Sequence, residues 1–420
     1  MPSKKPAPWR MTLAALTLLV NPAAFAGGLM LHEIATDNLG LANAGAAARA
    51  QGPSTIASNP AGLSYLQGTQ VGAGAQLLFG TLQFEDDAGN DSGNVLRPIP
   101  AGSFFISHAL DQHWVVGFGA YADFGLGQQY PDHWDGRYFL ENASLAGLSL
   151  VPSVGYRLND QWSLGMGIKA MHAMLGSEAA IDQSPFGLGQ REDGHYRYQA
   201  SDWGYGANLG VIYSPQPGTR VGLAYTSPVD LQFQHRLQVQ GGSALASRLD
   251  GTSLGLDLRV PQTATLSLYQ QLSGQWALLA SLNWQDWSTF GEIGIDIDGR
   301  AGNQRAVTVD AQYQDTWQLA LGAQYQLRPD LRWDLGMAYD SSAVADTDRT
   351  LSLPMGAAWR LATGLTYGLN EQTEVNLGWV MVWMGDLAVD QRKALSGQRI
   401  SGEFDDTWMQ ALSANLTWQY

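Results

Sequence analysis

An apolar–polar alternation with a period of two residues recurs along this chain and restricts most of it to extended strands. Trp162, Leu164, Met166, Ile168 and Ala170 alternate with Ser163, Gly165, Gly167, Lys169 and Met171. Trp317, Leu319, Leu321, Ala323 and Tyr325 alternate with Gln318, Ala320, Gly322 and Gln324. At the end, Leu412, Ala414, Leu416, Trp418 and Tyr420 alternate with Ser413, Asn415, Thr417 and Gln419. Successive side chains of a strand point to opposite faces, so each of these strands has an apolar face with an aromatic at one end and a small or polar face. Lipid outside and a lumen inside require that pattern, and only a closed sheet leaves no unpaired edge in a bilayer. The expected fold is all-β, a transmembrane antiparallel β-barrel.

Composition agrees with this class. Gly supplies 49 of 420 residues, Trp 15 and Tyr 16, and charged residues only 15 %, whereas soluble domains carry about 7 % Gly and about 25 % charge. Glycine suits strand bends, and Trp and Tyr form girdles at membrane interfaces. No stretch reaches the ~18 to 20 uninterrupted apolar residues of a membrane helix. Residues 1–26 read as a signal peptide, with Lys4, Lys5 and Arg10, an apolar run from Met11 to Val20, and the cleavage site Ala24-Phe25-Ala26. Its removal takes away three cations and shifts the formal charge from −15 to −18. So acidic a chain is a poor partner for nucleic acid. Cysteine is absent, which excludes a disulfide framework and thiolate metal sites. The bacterial outer membrane is the expected location.

Short polar links such as Leu158-Asn159-Asp160-Gln161 and Leu369-Asn370-Glu371-Gln372 read as periplasmic turns. Longer links, at roughly 85–97, 125–144, 176–200, 237–256, 297–305, 341–353 and 390–400, read as extracellular loops. This spacing predicts about 14 strands within residues 67–420, an even number as such barrels require. Residues 27–66 lack the alternation. A run rich in Ala, Gly and Leu from Ile34 to Ala50 leads through Gly52-Pro53-Ser54 into Asn59-Pro60-Ala61-Gly62. Side chains fill a barrel of about 8 strands, while one of about 16 to 18 holds a water-filled pore. A barrel of intermediate size needs a plug, and residues 27–66 are the expected one.

At this level the chain resembles the FadL-type family of outer-membrane transporters for long-chain fatty acids and aromatic hydrocarbons. The resemblance rests on Leu39-Gly40-Leu41-Ala42-Asn43-Ala44-Gly45 followed by Asn59-Pro60-Ala61-Gly62. Supporting pieces are Trp134-Asp135-Gly136-Arg137-Tyr138, Tyr225-Thr226-Ser227-Pro228, Trp284-Gln285-Asp286-Trp287-Ser288 and Ala338-Tyr339-Asp340-Ser341-Ser342. It implies a monomeric barrel of fourteen strands with an N-terminal hatch in the lumen. It also implies passive uptake of a hydrophobic small molecule, with sideways release into the bilayer through a kink in the third strand. A long-chain fatty acid is the first substrate so implied, with neutral aromatic or aliphatic hydrocarbons as the alternative. A structural or adhesive barrel without a transported ligand is the rival from another class. The other implied partners are outer-membrane lipid, lipopolysaccharide and the barrel-assembly machinery, which the aromatic chain end also suits.

Carried onto this sequence, the resemblance makes Asn59, Pro60, Ala61 and Gly62 the hatch and gating residues. Gly117, Gly119, Phe124 and Gly125 become candidates for the kink, in a third strand of about Trp114 to Phe124 with Gly127 just beyond. The family's basic ligand-binding positions fall near Met174 and Gln314, and neither is basic here. Lys169 and Arg360 point inward by parity, so Lys169, Arg360 and Gln314 are the ligand-binding candidates, with lumen acids such as Asp334 competing for the cations.

No motif for chemistry accompanies these features. His32-Glu33 lacks the second His of a zinc-protease helix, because Thr36 holds that position. No G-x-S-x-G elbow occurs, the seven His show no metal spacing, and no Ser–His pair shares a strand face. Asp86-Asp87-Ala88-Gly89-Asn90-Asp91 offers oxygens for calcium, though a solvated loop tip explains it more simply. The expectation is no catalytic residue, no metal and no cofactor.

Overall fold

Fourteen of the alternating segments pair edge to edge into one closed antiparallel ring. The structure, a computed structural model, describes residues 36–181, 193–242, 250–298, 304–393 and 397–420. The signal-peptide and His32-Glu33 readings fall outside these residues. The ring begins with β1 (Thr69–Thr81), β2 (Ile99–Ala109), β3 (Trp114–Gln129), β4 (Asn142–Arg157) and β5 (Trp162–Ile181). It continues through β6 (Gly194–Gln216), β7 (Thr219–Thr226), β8 (Thr263–Gln271), β9 (Trp276–Gln285) and β10 (Thr316–Arg328). It ends with β11 (Leu331–Asp340), β12 (Ala358–Asn370), β13 (Thr373–Arg392) and β14 (Arg399–Gln419). Each strand pairs with the next, and β14 closes on β1 from Gln70↔Gln419 to Thr81↔Trp408.

The two faces sort as the alternation predicts. Leu164, Met166 and Ile168 on β5 are exposed on the outside, and Ser163 and Lys169, on the alternate positions flanking them, are buried inside. Trp114, Trp162, Trp276 and Trp418 lie exposed at the turn end of the wall, and Trp317, Trp359 and Trp383 toward the loop end. These are the two girdles of a lipid-facing band. A cysteine placed at Asp346, whose side chain is 79 % exposed on the loop side, should react with an impermeant maleimide on intact cells. One at Asn159, in the β4–β5 turn, should not, and the reverse pattern would invert this orientation.

Several expected loops prove to be strand. β3 extends to Gln129, β5 to Ile181 and β13 to Arg392, because tall strands continue past the membrane where other protein covers them. The larger correction concerns 237–256 and 297–305. The chain between β7 and β8 and between β9 and β10 forms a second sheet from Val229–Arg236, Ser253–Val260, Glu292–Asp298 and Gln304–Asp310. These strands alternate because one face packs on protein instead of lipid. Leu231, Phe233 and Leu256 meet Met171, Leu175 and Tyr198 of β5 and β6 in one buried cluster. The Tyr198 hydroxyl donates to the carbonyls of Phe233 (2.9 Å) and Leu254 (3.2 Å), so the second sheet sits over the lumen at its loop end.

The other end of the lumen holds residues 36–66. They make short helical turns, Leu39–Leu41, Thr55–Ser58 and Pro60–Tyr65, and are largely buried. Glycines of the wall give them room. A Cβ on Gly165 would come 2.1 Å from the Ala61 nitrogen, and one on Gly210 1.8 Å from Asn59 Oδ1. Part of the glycine excess therefore serves close approach rather than bends.

Candidate functional site

The backbone ladder of the wall is interrupted beside β3. Its register against β4 passes from Ala122↔Leu148 to Phe124↔Gly147, so Asp123 is an extra residue in a β-bulge. A bulge changes the phase of a strand, and Asp123 and Phe124 in consequence both face the lumen, 6 % and 5 % exposed. β3 also leaves β2 at this point. β2 pairs with β3 only over Ser103–Ala109 against Val115–Tyr121, while Ile99 to Gly102 pair with β1 alone. Contact resumes above, where Arg97 N–H donates to the Gly127 carbonyl (3.1 Å) and Gln129 N–H to that of Val95 (2.9 Å). Pro98 and Pro100 supply no N–H along the open edge. Backbone left unpaired at membrane depth is tolerated where it lines a cavity, so this interruption is a candidate lateral opening.

Of the kink candidates, Phe124 and Gly125 lie at the break and Gly117 and Gly119 do not. Cβ atoms on the latter two would come 2.8 and 3.1 Å from Ile56. Their small size makes space for residues 36–66, and the kink itself comes from the inserted Asp123.

Two cavities meet at the bulge. Above it, under the second sheet, a narrow apolar cleft is lined by Phe124, Leu145, Leu231, Leu258, Trp287 and Phe290, among others. Below it, a polar cavity of about 120 Å³ separates residues 36–58 from the wall, with Asn43, Arg49, Gln51, Asp123, Lys169 and Asn283 on its lining. Consecutive residues of β3 thus face different environments, Phe124 the cleft and Asp123 the polar cavity.

The expected ligand residues do not form one site. Lys169 lies in the polar cavity, buried, with Nζ 2.8 Å from Asp123 Oδ1. Ser149 Oγ donates to the other carboxylate oxygen. Arg360 lies elsewhere on the inner wall, paired with Asp340 at 2.5 Å, and Gln318 links that carboxylate to Asn43 (3.0 and 2.7 Å). Asp334 pairs with Arg332 instead of either candidate cation. Gln314 is exposed outside β10, where its amide donates to the Ser342 carbonyl. Met174 faces outward, 49 % exposed, so a base there would meet lipid rather than ligand. Sequence reasoning missed Asp123, Trp287 and Phe290. The aromatic pair was legible in part, since Trp287 falls within a segment already singled out.

Asn59 is fully buried and ties residues 36–66 together and to the wall. Its Nδ2 donates to the Ala47 carbonyl (2.6 Å) and approaches those of Val211 (3.3 Å) and Leu223 (3.5 Å) on β6 and β7, while Oδ1 accepts from Ala61 N–H (3.0 Å). Pro60 then starts the turn that carries Ala61 and Gly62 along the inner wall. In the loops, burial pushes the Asp86 carboxyl up, but hydrogen bonds from Asn90 and Ala88 outweigh it and hold its pKa below the ordinary value. Its oxygens close a hairpin tip, and no metal-binding group of His, Asp and Glu occurs among the described residues. In the second sheet, burial and then the carboxylates of Asp296 and Asp230 push Asp257 up.

Residues 17–418 match the family model described as "Outer membrane protein transport protein (OMPP1/FadL/TodX)". The chain belongs to this family. Members are outer-membrane transport channels and not enzymes, and this FadL-family chain shares their location. It is 25 % identical over 405 residues to a long-chain fatty acid transport protein of Escherichia coli O6:H1, covering 88 % of this chain and 90 % of the relative. Among solved structures, a Pseudomonas aeruginosa FadL homologue superposes with a TM-score of 0.83 at 18 % identity, over 93 % of this chain and 99 % of that one. The Pseudomonas putida toluene transporter TodX gives 0.65 at 18 % identity, over 88 % and 94 %. Those two likenesses concern the fold: the FadL-family barrel is built here with an apolar cleft, a polar cavity and an interrupted wall.

Proposed function

We propose that this FadL-family channel takes up neutral hydrophobic molecules through the apolar cleft and releases them sideways between β2 and β3. The observation that carries the reading is Phe124, which lines the cleft and stands on the bulge where the wall opens. An apolar molecule loses ~0.8 kcal/mol per methylene on entering water, so the polar cavity below is a poor path and the adjoining bilayer a good one. Residues 27–66 serve in this proposal as the hatch that keeps the turn end of the lumen shut. The last strand pairs with the first, which supports a monomer, in this proposal one seated among outer-membrane lipid and lipopolysaccharide after insertion by the barrel-assembly machinery.

Neutral cargo is preferred because Lys169 already has a carboxylate partner and the cleft lining is apolar. TodX is described as a toluene transporter, which agrees with such a ligand. One observation favours a second reading, long-chain fatty acids: a lysine does lie just below the cleft, and the E. coli relative is named for that substrate. Uptake assays in a host lacking its own hydrophobic channels separate the two. Expression of the chain should speed entry of labelled toluene or an alkane several-fold and of oleate less. Oleate entry alone would establish the second reading, and entry of neither would remove transport as the function.

A further inference from the structure

We propose that Asp123 sets the charge selectivity of this channel, by occupying Lys169 and so turning away carboxylate head groups. The inference rests on the functional reading above and names the residue that decides between its two substrate classes. Three observations lead to it. The bulge places Asp123 in the lumen where regular alternation would allow only one of Asp123 and Phe124 to face inward. The carboxylate is fully engaged, one oxygen on Lys169 at 2.8 Å and the other on Ser149. The second cation on the cavity lining, Arg49, is likewise bound to Asp37 at 2.6 Å.

A ligand whose tail fills the cleft brings its head to the level of Asp123. A carboxylate arriving there meets a cation already neutralised, and it must either displace Asp123 or remain buried without a counter-charge. Displacement exchanges one carboxylate for another on the same ammonium and strands the Asp123 charge, which is itself costly. A neutral end group faces neither difficulty. The pair therefore works as a filter: Lys169 supplies an anion site, and Asp123 holds it closed.

Competition between oleic acid and its methyl ester tests this. The purified barrel is incubated with an equimolar mixture at neutral pH, and the molecules retained are counted by mass spectrometry. The unmodified protein should retain more ester than acid. Asp123→Asn keeps the shape and removes the charge, and it should raise the acid-to-ester ratio about tenfold or more, the effect of one charge-assisted hydrogen bond. Adding Lys169→Gln to that variant should return the ratio to its starting value. An unmoved ratio in Asp123→Asn, or a raised ratio that survives Lys169→Gln, overturns the proposal. Should Asp123→Asn fail to give a heat-modifiable barrel, Lys169→Gln alone reads the same filter. It uncovers the Asp123 charge and should lower the ratio, and no change there also overturns the proposal. Retention of neither molecule by the unmodified protein would instead overturn the functional reading, and this proposal with it.

Discussion

A chain lacking Asp123 and carrying Lys169→Met is expected to assemble as a barrel and to lose most of its transport. Ala122 faces outward opposite Leu148, and Phe124 faces inward opposite Gly147. Removing the residue between them joins an outward position directly to an inward one, so the strand keeps its faces and loses only its bulge. β3 can then continue past Tyr121 alongside Gly102 and Ala101, which at present pair with β1 alone. Lys169→Met accompanies the deletion because a lysine stripped of its carboxylate would be a buried unpaired charge. Opening a wall that has gained two backbone hydrogen bonds costs about 1 kcal/mol for each, and ~1.4 kcal/mol is tenfold in rate. Uptake of a neutral hydrocarbon should fall about tenfold or more, with the heat-modifiable gel band retained. Transport at the original rate in an assembled variant would put the exit elsewhere.

The bulge left no trace in the alternation, and the reason is specific. Val116 and Phe118 are even-numbered and face lipid, while Phe124 and Leu126 are even-numbered and belong to the buried apolar cluster shared with the second sheet. Alternation continues unbroken through the change of phase because both environments are apolar. The glycines near it drew attention instead, yet Gly117 and Gly119 owe their size to Ile56. A similar ambiguity hid the second sheet: period two shows that Val229–Arg236 has one buried face, but not whether lipid or a neighbouring sheet covers it. Where lipid is the sole neighbour the pattern was sufficient. β5 starts at its expected turn with Lys169 inward, and β14 ends on its exposed aromatics as read. Inward parity also held for Arg360, but parity names a face and not a partner. Asp123 and Asp340 were therefore out of reach of sequence patterning, being on other strands than the cations they bind.

Gly210→Val should convert the closed barrel into a leaking one. Valine suits a strand, and the ladder from β6 to β7 needs no side chain at that position, so assembly should be preserved. The inner surface changes decisively, because the new Cβ would fall 1.8 Å from Asn59 Oδ1 and 2.8 Å from its Cγ. Neither atom has anywhere to retreat: Asn59 is held by Ala47, Ala61 and the two strand carbonyls, and the adjoining wall is approached as closely at Gly165 and Gly222. The 36–66 segment must lift off the wall, and an unplugged barrel of this size passes small hydrophilic solutes. The expected results are stepwise conductance in planar bilayers and sensitivity of cells to large hydrophilic antibiotics, both absent in the unmodified protein. Asn59→Ala provides the contrast, since it deletes the hydrogen bonds and creates no clash. Leaving those groups unpaired costs about 1 to 3 kcal/mol, enough to lower uptake several-fold while the segment stays seated and conductance stays low. A leak in both variants would mean that hydrogen bonding alone holds the hatch. A leak in neither, with transport intact, would mean that the segment does not close the lumen and that the fit at Gly210 is only architectural.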